Sequence, residues 1–175
     1  MTEQDETLKA AQIAIQMEID GKEFYLKASR SSSSRLGQEL FSSLAEAEDM
    51  HRQKFEQIYN AVRSKQGWPD VHYEPDGGRT LRTIFARAIG EIGSKIKAAA
   101  AELDAVQTAM GMENKTYDFY KERVKKATYD AERGYYEALA GEEKEHYLVL
   151  LDYYEYLKDP AAWFVQKEHP TLDGG

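Results

Sequence analysis

Glu18, Glu48, His51, Glu113, Glu143 and His146 are the residues of this 175-residue chain whose types and spacing could do chemistry. They form one pattern written twice: a lone glutamate, then, 30 residues on, a Glu-x-x-His. Adding 95 to Glu18, Glu48 and His51 yields Glu113, Glu143 and His146. The same shift of 95 maps Leu8 to Leu103, Met17 to Met112, Phe24 to Phe119, Tyr25 to Tyr120, Leu44 to Leu139 and Ala45 to Ala140. Residues three apart on a helix point the same way, so each Glu-x-x-His offers both donors to one side. A single Glu-x-x-His is a weak signal, because glutamate-rich surface helices produce it often. Two copies in one register, each with an upstream glutamate at equal spacing, are much harder to obtain by accident.

The chemistry follows from charge. A buried carboxylate is costly unless it is paired or bound to metal. Four of them in one interior cannot all stay ionised without compensation. Two divalent cations neutralise four carboxylates, and two ferric ions bridged by an oxide dianion do so too. Carboxylates can bridge two metals while each imidazole terminates one. The six residues are therefore expected to be metal ligands for two iron ions, with manganese or a mixed pair accepting similar donors. Tyr25 and Tyr120 each follow a candidate ligand by seven residues, two turns along the same face. Aromatic core packing and a hydroxyl that orients a metal-bound carboxylate are both consistent with that position. His72 and His169 lie near Pro and Gly and read as loop residues; Glu46, Glu142 and Glu145 read as solvated surface carboxylates.

These residues must be held by helices. Four segments carry apolar residues at i, i+3, i+4, i+7 spacing, at about 6–29, 36–66, 102–127 and 130–157. The chain then reads as one domain over 1–175, with helical hairpins at about 6–66 and 102–157, a crossover at 67–101 and a tail at 158–175. Ser31 to Ser34 and Lys126 to Tyr129 are short links that suit antiparallel pairs, with Thr128 the expected N-cap of the last long helix. The crossover has turn signals at Gly67-Trp68-Pro69-Asp70 and Pro75-Asp76-Gly77-Gly78, then one or two short amphipathic helices through Leu81, Phe85, Ala88 and Ile92. Trp163 and Phe164 give the tail a short apolar piece to pack on the bundle, ahead of a loose Gly-Gly end. Short link, long crossover, short link is the order of an all-α, ferritin-like four-helix bundle, here with its halves related by a pseudo-two-fold.

Composition excludes several alternatives. The chain has 31 acidic and 23 basic residues, a formal charge of −8, and no basic stripe with interleaved aromatics, so nucleic acid is not an expected partner. No apolar run approaches the ~20 residues that span a bilayer. Met1 to Lys9 is polar and acidic, unlike a secretory or mitochondrial leader, so the expected location is cytoplasmic. With no cysteine, these residues contain no disulfide, no thiolate metal site and no rubredoxin-type iron centre.

At its motifs the sequence resembles the rubrerythrin family. The carrying stretches are Ala14-Ile15-Gln16-Met17-Glu18 with Phe24-Tyr25, and Leu44-Ala45-Glu46-Ala47-Glu48-Asp49-Met50-His51. Their second copies are Met112-Glu113 with Phe119-Tyr120, and Leu139-Ala140-Gly141-Glu142-Glu143-Lys144-Glu145-His146, the likeness covering about residues 8 to 157. The resemblance implies a di-iron oxidoreductase of oxidative-stress type that reduces hydrogen peroxide or dioxygen, in a homodimer. It departs from the family pattern in two ways: there is no cysteine-bound rubredoxin domain, and Thr116 stands where some members place a further carboxylate. Electrons are then expected from an external donor such as a rubredoxin-like protein. The alternative is a ferroxidase feeding iron storage or buffering, and a third reading is a bundle whose metals are purely structural.

Overall fold

The computed structural model describes residues 1–168, and among them every regular element is helical. His169, expected in a loop, and the Gly-Gly end lie outside the described residues. Helix α1 spans Glu3–Ser31 and α2 spans Arg35–Arg63; α3, Arg79–Ile92, lies in the crossover and passes into a 3₁₀ turn at Gly93–Lys95. Helices α4, Ala100–Lys126, and α5, Asp130–Lys158, form the second hairpin, and α6, Pro160–Glu168, closes the tail. Helix α1 packs along α2 and α4 along α5, while α1 also meets α4. The crossover helix α3 lies against α2 and α5, and α6 against α5 and the 3₁₀ turn. The structure is thus the all-α bundle with one long crossover that the sequence implied.

Local chemistry explains the helix ends. Thr2 caps α1 in a reciprocal box: its Oγ1 accepts from the Asp5 amide at 3.2 Å and its own amide donates to Asp5 at 2.9 Å. Ser34 caps α2, accepting from the Gly37 amide at 3.0 Å. Helix α2 stops where Lys65 and Gly67 take positive φ of 59° and 72°. Helix α5 begins differently from the expectation. Its N-cap is Tyr129, which makes no side-chain cap, and Thr128 is exposed. Glu132, in the first turn, is buried and reaches back to accept the Thr128 amide at 3.1 Å, which ties the link to the start of the helix.

The interior is divided into two apolar clusters. One gathers Tyr25, Leu36, Leu40, Phe41, Leu44, Val106, Ala109, Leu150 and Tyr153, extended by Leu81, Phe85 and Ile89 of α3 and by Trp163. The other gathers Ala14, Phe55, Ile58, Val62, Tyr120, Tyr135, Tyr136, Leu139 and Ala140. On every long helix the candidate ligands fall between residues of the first cluster and residues of the second. Each large apolar side chain withdrawn from water contributes about 1.5–3 kcal/mol, so both ends of the bundle are anchored independently of what fills the middle. Trp163 fulfils the expectation for the tail, its ring 5.6 Å from both Phe85 and Tyr156.

Candidate metal centre

The polar layer between the clusters contains all six expected ligands. Glu18 comes from α1, Glu48 and His51 from α2, Glu113 from α4, and Glu143 and His146 from α5. All six are buried, and Glu18 and Glu143 are 0% exposed. Their donor atoms fall into two quartets, Glu18, Glu48, His51 and Glu143, and Glu48, Glu113, Glu143 and His146, each within 4.8 Å. Glu48 and Glu143 belong to both. Each quartet thus has one terminal glutamate and one histidine from a single hairpin, joined by a glutamate shared from each hairpin. That is the pseudo-two-fold of the sequence expressed in space.

The imidazoles face inward through Nδ1. His51 Nδ1 is 3.2 Å from Glu143 and 3.3 Å from Glu18. His146 Nδ1 is 3.5 Å from Glu113 and 3.7 Å from Glu48. The two rings lie nearly parallel, centroids 6.1 Å apart at 14°. Burial alone would lower the His51 imidazole, but Glu18, Glu142 and Glu143 together hold it well above its ordinary value. Burial, then the charges of Glu143, Glu18 and Glu113, push Glu48 well above the usual carboxylate range. Burial and Glu113 do the same to Glu143. Burial opposes ionisation of Glu113, yet Glu143, His146 and Tyr25 together draw it down. Carboxylates packed this closely thus favour the protonated form at Glu48 and Glu143.

Two observations test whether metals fit. Glu48 Oε1, Glu113 Oε2, both Glu143 oxygens and His146 Nδ1 are buried without a hydrogen-bond partner, and all belong to this layer. Such orphans are costly in a protein interior unless a cation engages them. Gly21, one turn beyond Glu18, supplies room: a Cβ there would stand 2.6 Å from Glu48 Oε2. Hard oxygen donors with two imidazoles, spread over two adjoining quartets, suit a pair of first-row divalent ions.

Tyr25 and Tyr120 pack in the core and also reach carboxylates of the polar layer. Tyr25 stacks on Phe41 at 6.1 Å and Tyr120 on Phe55 at 5.8 Å, within the two apolar clusters. Each hydroxyl also donates across the bundle, Tyr25 to Glu113 and Tyr120 to Glu18. Each tyrosine therefore steadies the terminal glutamate of the opposite hairpin. Burial and the facing carboxylate raise both phenols well above their usual range, so both remain donors.

Three residues stand apart from the sequence expectation. Glu142, expected in solvent, is buried, because the crossover folds over that face of α5 and the Tyr73 hydroxyl donates to it. Its spacing of four from His146 is the one signal in the sequence, since that places both on one stripe. Tyr73 itself lies in an irregular segment and carries no periodic signal. Gly21 reads as an ordinary helix residue until Glu48 is placed beside it. Glu145 is half-buried, paired with Arg82 at 2.5 Å, whereas Glu46 and His72 are exposed as expected. Thr116 is buried and donates to its own helix at Met112 O, 3.1 Å away, so it offers the layer no further carboxylate.

Searches of curated proteins and of solved structures find no match. The family model described as Rubrerythrin matches residues 9–154, a span that takes in the crossover, all six residues of the polar layer and both hairpins except the first residues of α1 and the last of α5. On that match, and on the duplicated Glu and Glu-x-x-His layer it encloses, the chain belongs to the rubrerythrin family.

Proposed function

We propose that this chain is a di-iron carboxylate oxidoreductase that reduces hydrogen peroxide or dioxygen with electrons from an external protein donor. The observation that carries this reading is the sharing of Glu48 and Glu143 between two adjoining quartets of buried donors. When bound, a pair of iron ions supplies one electron each, the number that converts hydrogen peroxide and two protons into two molecules of water.

The chain's own residues set the conditions for that exchange. Glu48 and Glu143 span the two quartets, while Glu18 with His51 and Glu113 with His146 close the ends. Tyr25 and Tyr120 hold the terminal carboxylates in fixed orientations through their hydroxyls. Orientation of this kind preserves ligand geometry when the charge of the site changes. The apolar clusters on either side exclude bulk water, which strengthens every charge interaction in the layer. Burial and neighbouring charge favour the protonated form of Glu48 and Glu143, so binding a cation there would release protons.

The test is to load the protein anaerobically with ferrous iron and mix it with hydrogen peroxide in a stopped-flow instrument. One peroxide consumed per two irons, followed by repeated turnover with a reduced one-electron donor protein, supports the oxidoreductase. Rapid iron oxidation without turnover, in an assembly of many chains by light scattering, would favour iron storage instead.

A further inference from the structure

We propose that Tyr73, in the crossover between α2 and α3, is a positioning residue for both halves of the metal centre, acting through Glu142. This rests on the assignment of the polar layer as a two-metal site.

The duplication shows why such a device is needed. The shift of 95 pairs Glu142 with Ala47, so only the second hairpin has a carboxylate immediately before its Glu-x-x-His. One carboxylate must serve the outer edges of two imidazoles. The structure places it between them: Glu142 Oε2 is 3.7 Å from His51 Nε2, and Glu142 Oε1 is 3.8 Å from His146 Nε2. Both separations allow attraction between charges but are too long for hydrogen bonds. Something else must fix the carboxylate, and Tyr73 does. Its hydroxyl donates to Glu142 and sits 2.9 Å from His51 Nε2. A hydroxyl that has given its single proton to Glu142 can only accept from His51, which places hydrogen on Nε2 and leaves Nδ1 as the nitrogen that faces the carboxylate layer. With Oε2 held by Tyr73, Oε1 is left facing His146. The tyrosine ring is itself wedged edge-on, 5.8 Å from His51 and 5.7 Å from Tyr135. The crossover thus reaches both metal positions through one hydroxyl, although it supplies no ligand.

The test uses metal-free full-length protein titrated with cobalt(II) against a competing chelator, following visible d–d absorption. Tyr73→Phe keeps the ring and removes the hydroxyl. The expected result is a loss of affinity of roughly 10- to 100-fold at both cobalt positions, with altered band positions and an unchanged circular dichroism spectrum. Glu142→Gln is expected to give the same signature, and the double variant no further loss. Val71→Ala loosens the same segment without touching His51 or Glu142 and should leave the cobalt spectrum unchanged. Wild-type affinity in Tyr73→Phe, an effect at one position only, or the same spectral change in Val71→Ala would each overturn the proposal. Glu48→Ala serves as reference: if it too binds two cobalt ions normally, the metal site itself is misassigned; if it fails while Tyr73→Phe binds normally, only the role of Tyr73 is lost.

Discussion

Replacing Glu48 by Gln should make the metal-free protein more stable and the metal-loaded protein less so. Glu48 is buried, one of its oxygens has no partner, and three other glutamates surround it. Its affinity for a proton in the folded state is raised well above the ordinary carboxylate value. A raised carboxylate makes its full contribution to stability below its unfolded value and loses it as pH rises through the folded value. Each tenfold rise in proton affinity on folding corresponds to about 1.4 kcal/mol. Gln is neutral at every pH and so removes that loss. An unsatisfied buried group costs about 1–3 kcal/mol, more if charged, which sets the stabilisation expected of Glu48→Gln at pH 8. At about 2–4 °C per kcal/mol for a chain of this size, Tm should rise by roughly 2–12 °C. At pH 4 the two proteins should melt together. Metal reverses the order, since a ligand at a hundred times its Kd adds about 2.7 kcal/mol to a protein that binds it and little to one that does not. The assay is thermal unfolding by circular dichroism across pH, with chelator and then with cobalt(II). A metal-free Glu48→Gln protein less stable than wild type at pH 8 would mean that Glu48 is not a costly buried carboxylate, and equal stabilisation of both by cobalt that it is not a metal ligand.

Gly21→Ala should hold or raise helix stability by up to about 1 kcal/mol, while its Cβ, 2.6 Å from Glu48 Oε2, displaces a carboxylate common to both quartets; calorimetric titration should show both metal positions weakened in a well-folded protein. Tyr25→Phe and Tyr120→Phe should each weaken binding about tenfold, and to a similar degree because the two donations are related by the pseudo-two-fold; unchanged isotherms would reduce both phenols to packing. Asp49 is held down to about 2, chiefly by Lys22 at 2.8 Å with Arg52 and Gln53 adding to it. Its contribution is present above the ordinary Asp range and lost as pH falls through about 2, so Lys22→Met should cost on the order of 1 kcal/mol at neutral pH, after allowance for solvent screening, and nothing in strong acid. Gly37→Ala should destabilise the bundle by more than about 1 kcal/mol, because its Cβ would collide with Glu102 and Ser32 where they meet Tyr153; chemical denaturation measures it.

The long helices and the six residues of the polar layer are legible in the sequence because periodicity and duplication act over many residues at once. A buried stripe recurs every turn, and a shift of 95 that reproduces three candidate ligands and several core residues leaves little freedom in how the halves pack. What is not legible depends on single contacts between distant segments. Glu142 looks like any surface glutamate until Tyr73 covers it, and Tyr73 follows no period because its segment is neither helix nor strand. The crossing of the tyrosine donations, Tyr25 to Glu113 and Tyr120 to Glu18, likewise needs the hairpins docked before it can be seen. The N-cap of α5 is Tyr129, one residue beyond the expected Thr128, whose amide is bound by Glu132 four residues on. Glu102 shows the same limit: the link at Ser32 and Ser33 is closed by a carboxylate about 70 residues away in sequence.

In the proposed function Glu48 and Glu143 serve two metal ions at once. The decisive experiment is an anaerobic titration of metal-free protein with ferrous iron, scored by bound iron per chain. Two irons per wild-type chain and fewer than two in Glu143→Ala are the expected result. Fewer than two irons in the wild type, or two retained by Glu143→Ala, would contradict it.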